Sequence, residues 1–458
     1  MTGIRSQGVL MKSSKQITLA TSIASLLIGV NVSLAEDVAA EGVNQYTAIT
    51  PAQRVSSGWV EGDQDPGNLL NQIEARRTPR TGLVPFSPIQ PLRNGVTSVT
   101  DKIYEAMYLR LGFSFHTVGQ YTTNNLPNTL RHGGATDFDF VGTWELFNRG
   151  QPTQGEIFFG VEGRWDYGPI GPQNLGFVSL GTSGGTANSF SAYFPAFILR
   201  NLYYRMGSPE AGWAFRFGKI TTDAMLLTNR HLTPNTTFLS NAGTGMFVAG
   251  YPDSALGMAG ALYFADQRAY VAGLVADSNG NRFDFGRLYQ GDFYKAAEVG
   301  LKIFPRTDRA SYSKFLVWHT DGTFDGSPIN ANTGRQGWGY GAVLSQELTA
   351  DGNTVVVARY GQAFNNASIY DQQAALALLR YQPFGSYSFD DDVLGVQINW
   401  IDSSTTGARN ETSLETFYRF PLFPDLDTTL SYQAVFNPAN TTNFDTAHVF
   451  SVRAVTSF

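Results

Sequence analysis

The 458-residue chain is rich in glycine and aromatic residues and poor in charge, with 48 Gly, 33 Phe, 21 Tyr, 15% charged residues and no cysteine. This profile is typical of a β-rich chain with many turns, and the lack of cysteine excludes disulfides and a lipid-anchored cysteine. The net charge of -6 argues against nucleic-acid binding, because phosphate recognition depends on Lys and Arg.

The amino terminus has the layout of a secretory signal peptide. Lys12 and Lys15 precede an apolar run over residues 17–32 and a small-residue pattern that ends at Ala35. We predict that residues 1–35 are the signal peptide. Its removal takes three basic and no acidic residues and shifts the net charge from -6 to -9. No run of 18 or more apolar residues follows, so a helical membrane protein is not expected.

Residues 36–103 lack strand alternation and are predicted to form an N-terminal extension. Within it, Leu69 to Arg77 could form a short basic amphipathic helix before Pro79. Two interpretations stay open. The extension is either a periplasmic or flexible leader, or a segment at or inside the mouth of a barrel, where its basic residues would meet acidic lumen residues.

Apolar and polar residues alternate from Tyr104 to the carboxyl end. In Tyr104 to His116 the odd positions from Met107 onward are apolar and the even positions are polar or small. Asp137 to Phe147 and the segment ending at Tyr167 repeat the pattern on either side of a short turn over 148–154, as antiparallel neighbours should. One face of each strand therefore suits lipid and the other suits water.

These patterns predict an all-β fold: a closed antiparallel transmembrane β-barrel of 16 strands over 104–458, after the short N-terminal extension. Closed pairing satisfies every backbone polar group in lipid, and about 20 to 25 residues per strand and connection gives about 14 to 18 strands. Such a barrel leaves an aqueous channel. A soluble β-sandwich also alternates, but aromatic pairs near strand ends, such as Trp165 with Tyr167, favour a membrane girdle.

Segments rich in Gly, Asn, Thr and Pro are predicted to form long external loops, one of which folds inward to narrow the channel. They are residues 117–136, 168–189, 221–245, 279–292, 321–336 and 437–445. Glycines on the lumen face indicate open space inside the barrel or, alternatively, sites where the sheet bends. They are Gly112, Gly160, Gly300, Gly339, Gly341 and Gly395.

Charged residues opposite the apolar face are predicted, from their parity alone, to line the channel. They are Arg110, Asp139, Glu145, Glu162, Arg164, Asp166, Glu298, Lys302, Arg359, Glu411, Glu415, Arg419 and Arg453. The alternative for each is ordinary electrostatic pairing within the barrel wall. The final strand ends on the aromatic Phe458, which is typical of strands read by the outer-membrane assembly machinery. The expected surroundings are outer-membrane lipids of a Gram-negative-type bacterium.

Several short segments, taken in order along the chain, resemble the carbohydrate-selective (OprB-type) outer-membrane porins. The segments are Phe215–Lys219, Phe238–Asn241, Tyr251-Pro252, Ala255–Gly257, Ala358–Gly361, Asp391–Gly395, Glu411-Thr412 with Glu415, Phe417–Phe420, Pro424–Leu426, Gln433 and Asn437-Pro438. The resemblance implies passive diffusion of small sugars through a water-filled barrel, without cofactor, energy source or covalent chemistry. A general porin for small polar solutes remains the second hypothesis, and a homo-oligomer remains open.

Two further functional hypotheses are an enzymatic barrel and a structural or adhesive barrel. The five histidines are scattered and accompany no Gly-x-Ser-x-Gly or His-Glu-x-x-His motif. His319 is the best catalytic candidate, but an interface or loop-base histidine is the simpler interpretation. The acidic run 390–392 could bind calcium, although an acidic junction between loop and strand explains it as well. We therefore predict no catalytic residue, no metal ligand and no cofactor.

Overall fold

A computed structural model of the protein describes residues 58–77, 80–389 and 391–458. The predicted signal peptide, residues 36–57 of the extension, Pro79 and Asp390 lie outside the described residues. All described residues belong to one unit, Ile49–Phe458. No helix in this part of the chain is both long and apolar enough to cross a membrane.

Sixteen antiparallel strands of the described chain form a closed barrel, which confirms the predicted fold class. Each strand pairs with its neighbours in sequence, and the first pairs with the last. The strands are β1 Leu109–Thr122, β2 His132–Phe147, β3 Gly155–Asp166, β4 Phe197–Ser208, β5 Trp213–Thr221, β6 Ser254–Phe264, β7 Ala269–Asp277, β8 Phe293–Leu301, β9 Ser313–Thr320, β10 Gly337–Glu347, β11 Thr354–Phe364, β12 Tyr370–Tyr381, β13 Val393–Ser403, β14 Glu411–Phe423, β15 Leu426–Phe436 and β16 Thr446–Ser457.

Alternation along the strands produces the two faces of the wall. In β12, for example, Leu376 and Leu378 are exposed while Ala377 and Leu379 are buried. The exposed face carries large apolar side chains such as Ile398 around the barrel. Exposed apolar side chains on a closed barrel are the surface that lipid covers. The buried face points into the lumen and carries the polar and charged residues.

Short helices lie before the barrel and within its connections. The α-helices are α1 Pro66–Ala75, α2 Gln90–Met107, α3 Pro172–Asn174 and α4 Asn241–Thr244. A π-helical turn spans Leu175–Leu180. Single 3₁₀ turns span Pro209–Ala211, Thr222–Ala224, Phe247–Ala249, Leu288–Gln290 and Gly385–Tyr387.

Two boundaries differ from the sequence-based expectation. The alternation that starts at Tyr104 is helical as far as Met107, and β1 begins at Leu109 after Tyr108 adopts a left-handed conformation with φ of 58°. A four-residue apolar–polar alternation fits the end of an amphipathic helix as well as a strand. The predicted loop over 117–136 is much shorter, because β1 and β2 stay paired from Thr117↔Thr136 out to Tyr121↔His132.

The other predicted loops keep their places. The connections over 321–336 and 437–445 have the expected bounds, and the β3–β4 and β5–β6 connections extend further than expected, to 167–196 and 222–253. These two long connections leave the barrel end opposite to α2. The turns at the α2 end are shorter, as between β14 and β15. Long loops at one end and short turns at the other are the arrangement found in outer-membrane barrels.

Candidate channel interior

The first described residues, 58–75, lie inside the barrel. Leu70 and Ile73 of α1 fill the space above Gly112 of β1, and Pro66 lies against Gly160 of β3. Leu69, Leu70 and Ile73 form an apolar cluster with a β2 side chain. This helix overlaps the segment in which a basic amphipathic helix was predicted. We call residues 58–75 the inserted segment.

Buried ion pairs attach the inserted segment to the wall. Asp65 accepts hydrogen bonds from Arg216 Nη1 at 2.9 and 2.8 Å and from the Tyr203 hydroxyl at 2.6 Å. Both charged partners are at most 3% exposed. At the carboxyl end of α1, Glu74 pairs with the predicted lumen residue Arg110. Charges this deeply buried are stable only when they are paired.

A third ion pair holds the start of the inserted segment. Lys314 Nζ of β9 lies 3.2 Å from Glu61 and donates to the Trp59 carbonyl at 2.9 Å. The Trp59 amide in turn donates to the Tyr263 hydroxyl at 3.1 Å. The inserted segment is thus bound to β4, β5, β6 and β9 as well as to β1–β3.

Basic residues just after α1 contact acidic residues of the wall. Arg76 lies 3.2 Å from Asp427 of β15, and Arg80 lies 3.1 Å from the same carboxylate. Arg80 also reaches Asp391 at 2.8 Å. Asp392, from the same acidic run, accepts a hydrogen bond from the Tyr418 hydroxyl at 3.0 Å. The described carboxylates of this run therefore have protein partners.

The lumen glycines do not mark open space, so that interpretation was wrong. A methyl group added at Gly300 would collide with the Tyr270 ring, and one added at Gly395 would collide with the Phe417 ring. Gly341 accommodates Leu227. The remaining lumen glycines are likewise occupied, by α1 or by Trp318. Their small size admits neighbouring rings and inserted chain rather than water.

Two connections fold inward where one was predicted, and the first of them is the β5–β6 loop. Glu415 accepts the backbone amides of Leu239 at 2.7 Å and Ser240 at 3.1 Å. Three strands away, on β11, Arg359 donates to the carbonyls of Ala242 at 2.8 Å and Gly243 at 2.6 Å. Side chains of two wall strands thus hold the middle of the loop inside the lumen.

Three further predicted lumen residues hold the same loop. Glu298 accepts the Leu227 amide at 2.6 Å. Arg453 donates to the Thr237 carbonyl at 2.7 Å, and Arg419 donates to the Thr236 carbonyl at 3.2 Å. Each of these hydrogen bonds joins a charged side chain to a backbone group, which makes it stronger than a hydrogen bond between neutral groups.

The loop also contains a buried histidine. His231 Nδ1 lies 2.6 Å from the Tyr381 hydroxyl, and Nε2 lies 3.0 Å from the Arg309 carbonyl. Burial, with help from the nearby Arg230 charge, lowers the pKa of His231 to about 3. The ring is therefore neutral at physiological pH and serves as a hydrogen-bonding anchor for the loop.

The β3–β4 loop packs into the lumen beside the β5–β6 loop. Glu411 accepts the amides of Ser183 and Gly184, both at 2.9 Å. The Thr186 carbonyl accepts hydrogen bonds from Gln120 at 2.9 Å and Gln433 at 2.8 Å. The two loops and the inserted segment therefore all occupy the lumen.

The remaining predicted residues occupy different environments. Glu145 is buried, with the Tyr104 hydroxyl 3.2 Å away. Asp166 accepts the Ala192 amide at 2.9 Å, and Lys302 lies just beyond β8 with its ammonium group over the Tyr312 ring. The catalytic candidate His319 is about a third exposed, with Asp321 3.5 Å away.

One cavity of about 40 Å³ lies between the wall, the inserted segment and the two loops. Its lining includes three of the predicted residues, Asp139, Glu162 and Arg164. Arg200 donates to Glu162 at 2.8 Å, and the Arg164 guanidinium lies 4.5 Å from the Tyr193 ring centre. Carboxylates, guanidiniums and an aromatic ring thus lie side by side. A second cavity adjoins it, with Asp63 and Gln64 in both linings.

The family comparison matches residues 240–458, and the family is described as "Carbohydrate-selective porin, OprB family". Over this range the chain is similar to the OprB family. The matched range runs from the end of the β5–β6 loop through β16, and it contains Arg359, Glu411 and Glu415. The inserted segment and strands β1–β5 precede the matched range. A search of curated proteins finds no match.

Solved structures similar to this chain include a high-pH structure of Pseudomonas putida OprB. It has a TM-score of 0.61 and 13% identity, with 79% of this chain and 97% of that chain covered. The low-pH structure of the same protein has a TM-score of 0.49, 9% identity and coverages of 79% and 96%. A Rhodopseudomonas blastica porin triple mutant has a TM-score of 0.44, 12% identity and coverages of 76% and 100%. The first similarity supports the barrel fold.

Sequence reasoning missed several residues that shape the interior of the barrel. Glu61, Asp63 and Asp65 belong to the inserted segment, which was not assigned a definite place. The acidic spacing in Glu61-Gly62-Asp63-Gln64-Asp65 could have indicated a segment that binds basic wall residues. Arg216 was noted only within a resembling segment, although strand parity could have placed it in the lumen.

Proposed function

We propose that the protein is a porin that allows small carbohydrates and other small polar solutes to diffuse passively across the outer membrane of a Gram-negative-type bacterium. The observation that carries this proposal is the closed 16-strand barrel with two loops bound across its lumen, together with the OprB match over residues 240–458. The exposed apolar wall supports a place in lipid. Passive diffusion requires no catalytic group.

The open cavity provides the chemistry for sugar passage. Sugars present flat apolar ring faces and a rim of hydroxyls, so a ring beside charged groups can stack on the faces and hydrogen-bond the rim. Glu162, Arg164 and Arg200 line the cavity, and the Tyr193 side chain contacts Glu162 and Arg164 beside it. We assign solute contact to Asp139, Glu162 and Arg164 among the predicted residues, and loop anchoring to Glu298, Arg359, Glu411, Glu415, Arg419 and Arg453.

The inserted segment narrows the channel from the end with the short turns. We infer that this end faces the periplasm, that residues 58–75 are the lumen-associated part of the N-terminal extension, and that the strand ending at Phe458 is recognised by the assembly machinery. The pairing of the Phe458 backbone with Phe113 at 2.8 and 3.0 Å makes that strand part of the barrel closure.

Single-channel recording in planar bilayers tests the proposal. The purified mature chain should form an open channel whose current is reduced by glucose or maltooligosaccharides. Glu162→Gln removes one charged group that would hydrogen-bond the sugar hydroxyls, so it should weaken the block of the current by sugar. Glu210→Gln, in an exposed turn, should leave this block unchanged. A channel that ignores sugars would favour the general porin, and a folded barrel without conductance would contradict both.

A further inference from the structure

We propose that the open cavity contains a divalent-cation site of the calcium type, formed by Asp137, Asp139 and Glu162. The β2–β3 register places Asp139 directly opposite Glu162, and Asp137 lies two residues away on the same face of β2. Each residue offers a carboxylate oxygen, and these oxygens lie within 4.8 Å of one another. Three strand carboxylates therefore converge on one point of the lumen.

Buried oxygens from two other parts of the chain line the same cavity. Asp63 of the inserted segment is 2% exposed and Asn235 of the β5–β6 loop is 5% exposed. The Oδ1 atom of each has no hydrogen-bond partner among the described residues, and neither does Asp137 Oδ1. A buried polar atom without a partner destabilises the folded chain. Two segments outside the strand cluster thus supply unpaired oxygens to one cavity, which a bound cation would satisfy.

The charges around the cavity favour one divalent ion. Asp63, Asp137, Asp139 and Glu162 contribute four carboxylates to its lining, and Arg164 and Arg200 contribute two guanidiniums. Both guanidiniums contact Glu162, and Arg164 also lies 3.5 Å from Asp137. Two negative charges therefore exceed the positive ones when all four carboxylates are ionised.

Asp139 is the carboxylate most available to an ion. Its nearest basic group is His116, with Nε2 3.7 Å from Oδ2. The His116 ring also contacts the Ser114 hydroxyl at 2.6 Å. Asp139 therefore has an imidazole beside it, whereas Glu162 is paired with two guanidiniums.

The donor set favours calcium over other common metals. Ca²⁺ binds six to eight oxygen ligands at about 2.3–2.6 Å in flexible geometry, whereas Mg²⁺ requires a near-ideal octahedron at about 2.0–2.1 Å. Carboxylate and amide oxygens spread over up to 4.8 Å match the larger ion. Zinc would favour thiolates or imidazoles, and the chain has no cysteine.

A bound ion would connect three parts of the molecule: the β2–β3 wall, the inserted segment through Asp63 and the β5–β6 loop through Asn235. It would thereby stabilise the narrow form of the channel. The ligands precede residue 240, so they lie outside the region matched to the OprB family. The site depends on the lumen geometry and not on which solute passes.

Calcium binding to the full mature chain in detergent provides the test, with CaCl₂ as the probe after chelation of bound metals. Titration calorimetry should show saturable 1:1 binding with a Kd on the order of 10⁻⁴–10⁻³ M, the range of extracellular calcium modules. Thermal unfolding should shift upward in millimolar Ca²⁺. Asp139→Asn should weaken binding at least about tenfold, because loss even of an outer-shell partner costs about that much.

Two further variants make the outcome decisive. Asp63→Asn alters the inserted segment rather than the barrel strands and should weaken binding in the same way, which guards against misfolding of the Asp139 variant. Asp266→Asn, in an exposed turn with φ of 53°, should bind calcium like the parent chain. Absence of saturable binding, or equal binding by all variants, would overturn the site. Sugar block of the channel is measured separately and tests the porin proposal alone.

Discussion

Asp65→Asn should release the inserted segment while the barrel stays folded. The substitution keeps the shape of the side chain but leaves the Arg216 guanidinium buried without its counter-ion. Removing one partner of a buried ion pair typically costs about 3–5 kcal/mol. Since the strands pair independently of residues 58–75, this cost falls on docking of the segment. At about 1.4 kcal/mol per factor of ten, the undocked population should rise by roughly 10² to 10³·⁵.

Thiol labelling measures this change directly, because the chain has no cysteine. A Leu70→Cys reporter is buried when the segment is docked, since Leu70 is fully buried against Gly112. In this background Asp65→Asn should accelerate maleimide labelling by about the same factor. Asp445→Asn is the matched control, because its carboxylate is 80% exposed and pairs with Arg409 at the surface. Exposed pairs contribute only about 0–1 kcal/mol.

The double variant Asp65→Asn with Arg216→Gln refines the interpretation. It removes both charges, so it should restore much of the slow labelling that Asp65→Asn loses. Unchanged labelling in Asp65→Asn, with the barrel shown to be folded by circular dichroism, would refute the reasoning. Equally fast labelling in the Asp445→Asn control would do the same, because the effect would not depend on burial.

The wall and the β5–β6 loop lead to three more predictions. Leu376→Arg on the lipid face should lower the free energy of unfolding of the barrel in vesicles by about 2–4 kcal/mol, the cost of an Arg near mid-membrane. Leu348→Arg, in a turn, should lower it by only about 0–1 kcal/mol. Urea titration measures both values. Glu415→Ala should lower the free energy of opening of the two loop amides it binds by about 1–3 kcal/mol each, and hydrogen exchange at these amides should speed up accordingly. The exposed Glu210→Ala variant should leave their exchange unchanged. Because burial lowers the pKa of His231 to about 3, the docked loop favours the neutral ring. Its contribution to loop docking is complete above about pH 6.5 and is lost as the pH falls toward 3. Proteolytic protection of the loop should follow that curve in the parent chain and lose it in His231→Gln.

The barrel could be predicted because it depends on local alternation. The side-chain period of a strand fixes which residues face inward, so Arg110, Glu298 and Arg453 could be assigned to one face without knowledge of their partners. The start of β1 was less certain, because the few residues from Tyr104 to Met107 fit a helix and a strand equally well. Sequence patterns of that length do not distinguish the two periods.

The contents of the lumen could not be predicted in the same way. That the β5–β6 loop crosses the lumen depends on contacts between Glu415 and Leu239, which are far apart in sequence. The lumen glycines were misinterpreted because a missing side chain looks the same in sequence whether water or a neighbour such as Tyr270 takes its place. Loop position and cavity shape are tertiary properties that the alternation does not encode.

The junction between β1 and β16 constrains how the molecule can be made. Its partners, from Ser114↔Ser457 to Thr122↔Val449, are the most distant in sequence of all the strand pairs described. Bringing such distant segments together has a high loop-closure entropy, so this seam should form late and slowly in folding. Residues 58–75 precede β1 in the chain and take no part in strand pairing. Closure of the cylinder and docking of the inserted segment are therefore separate steps in the assembly of the molecule.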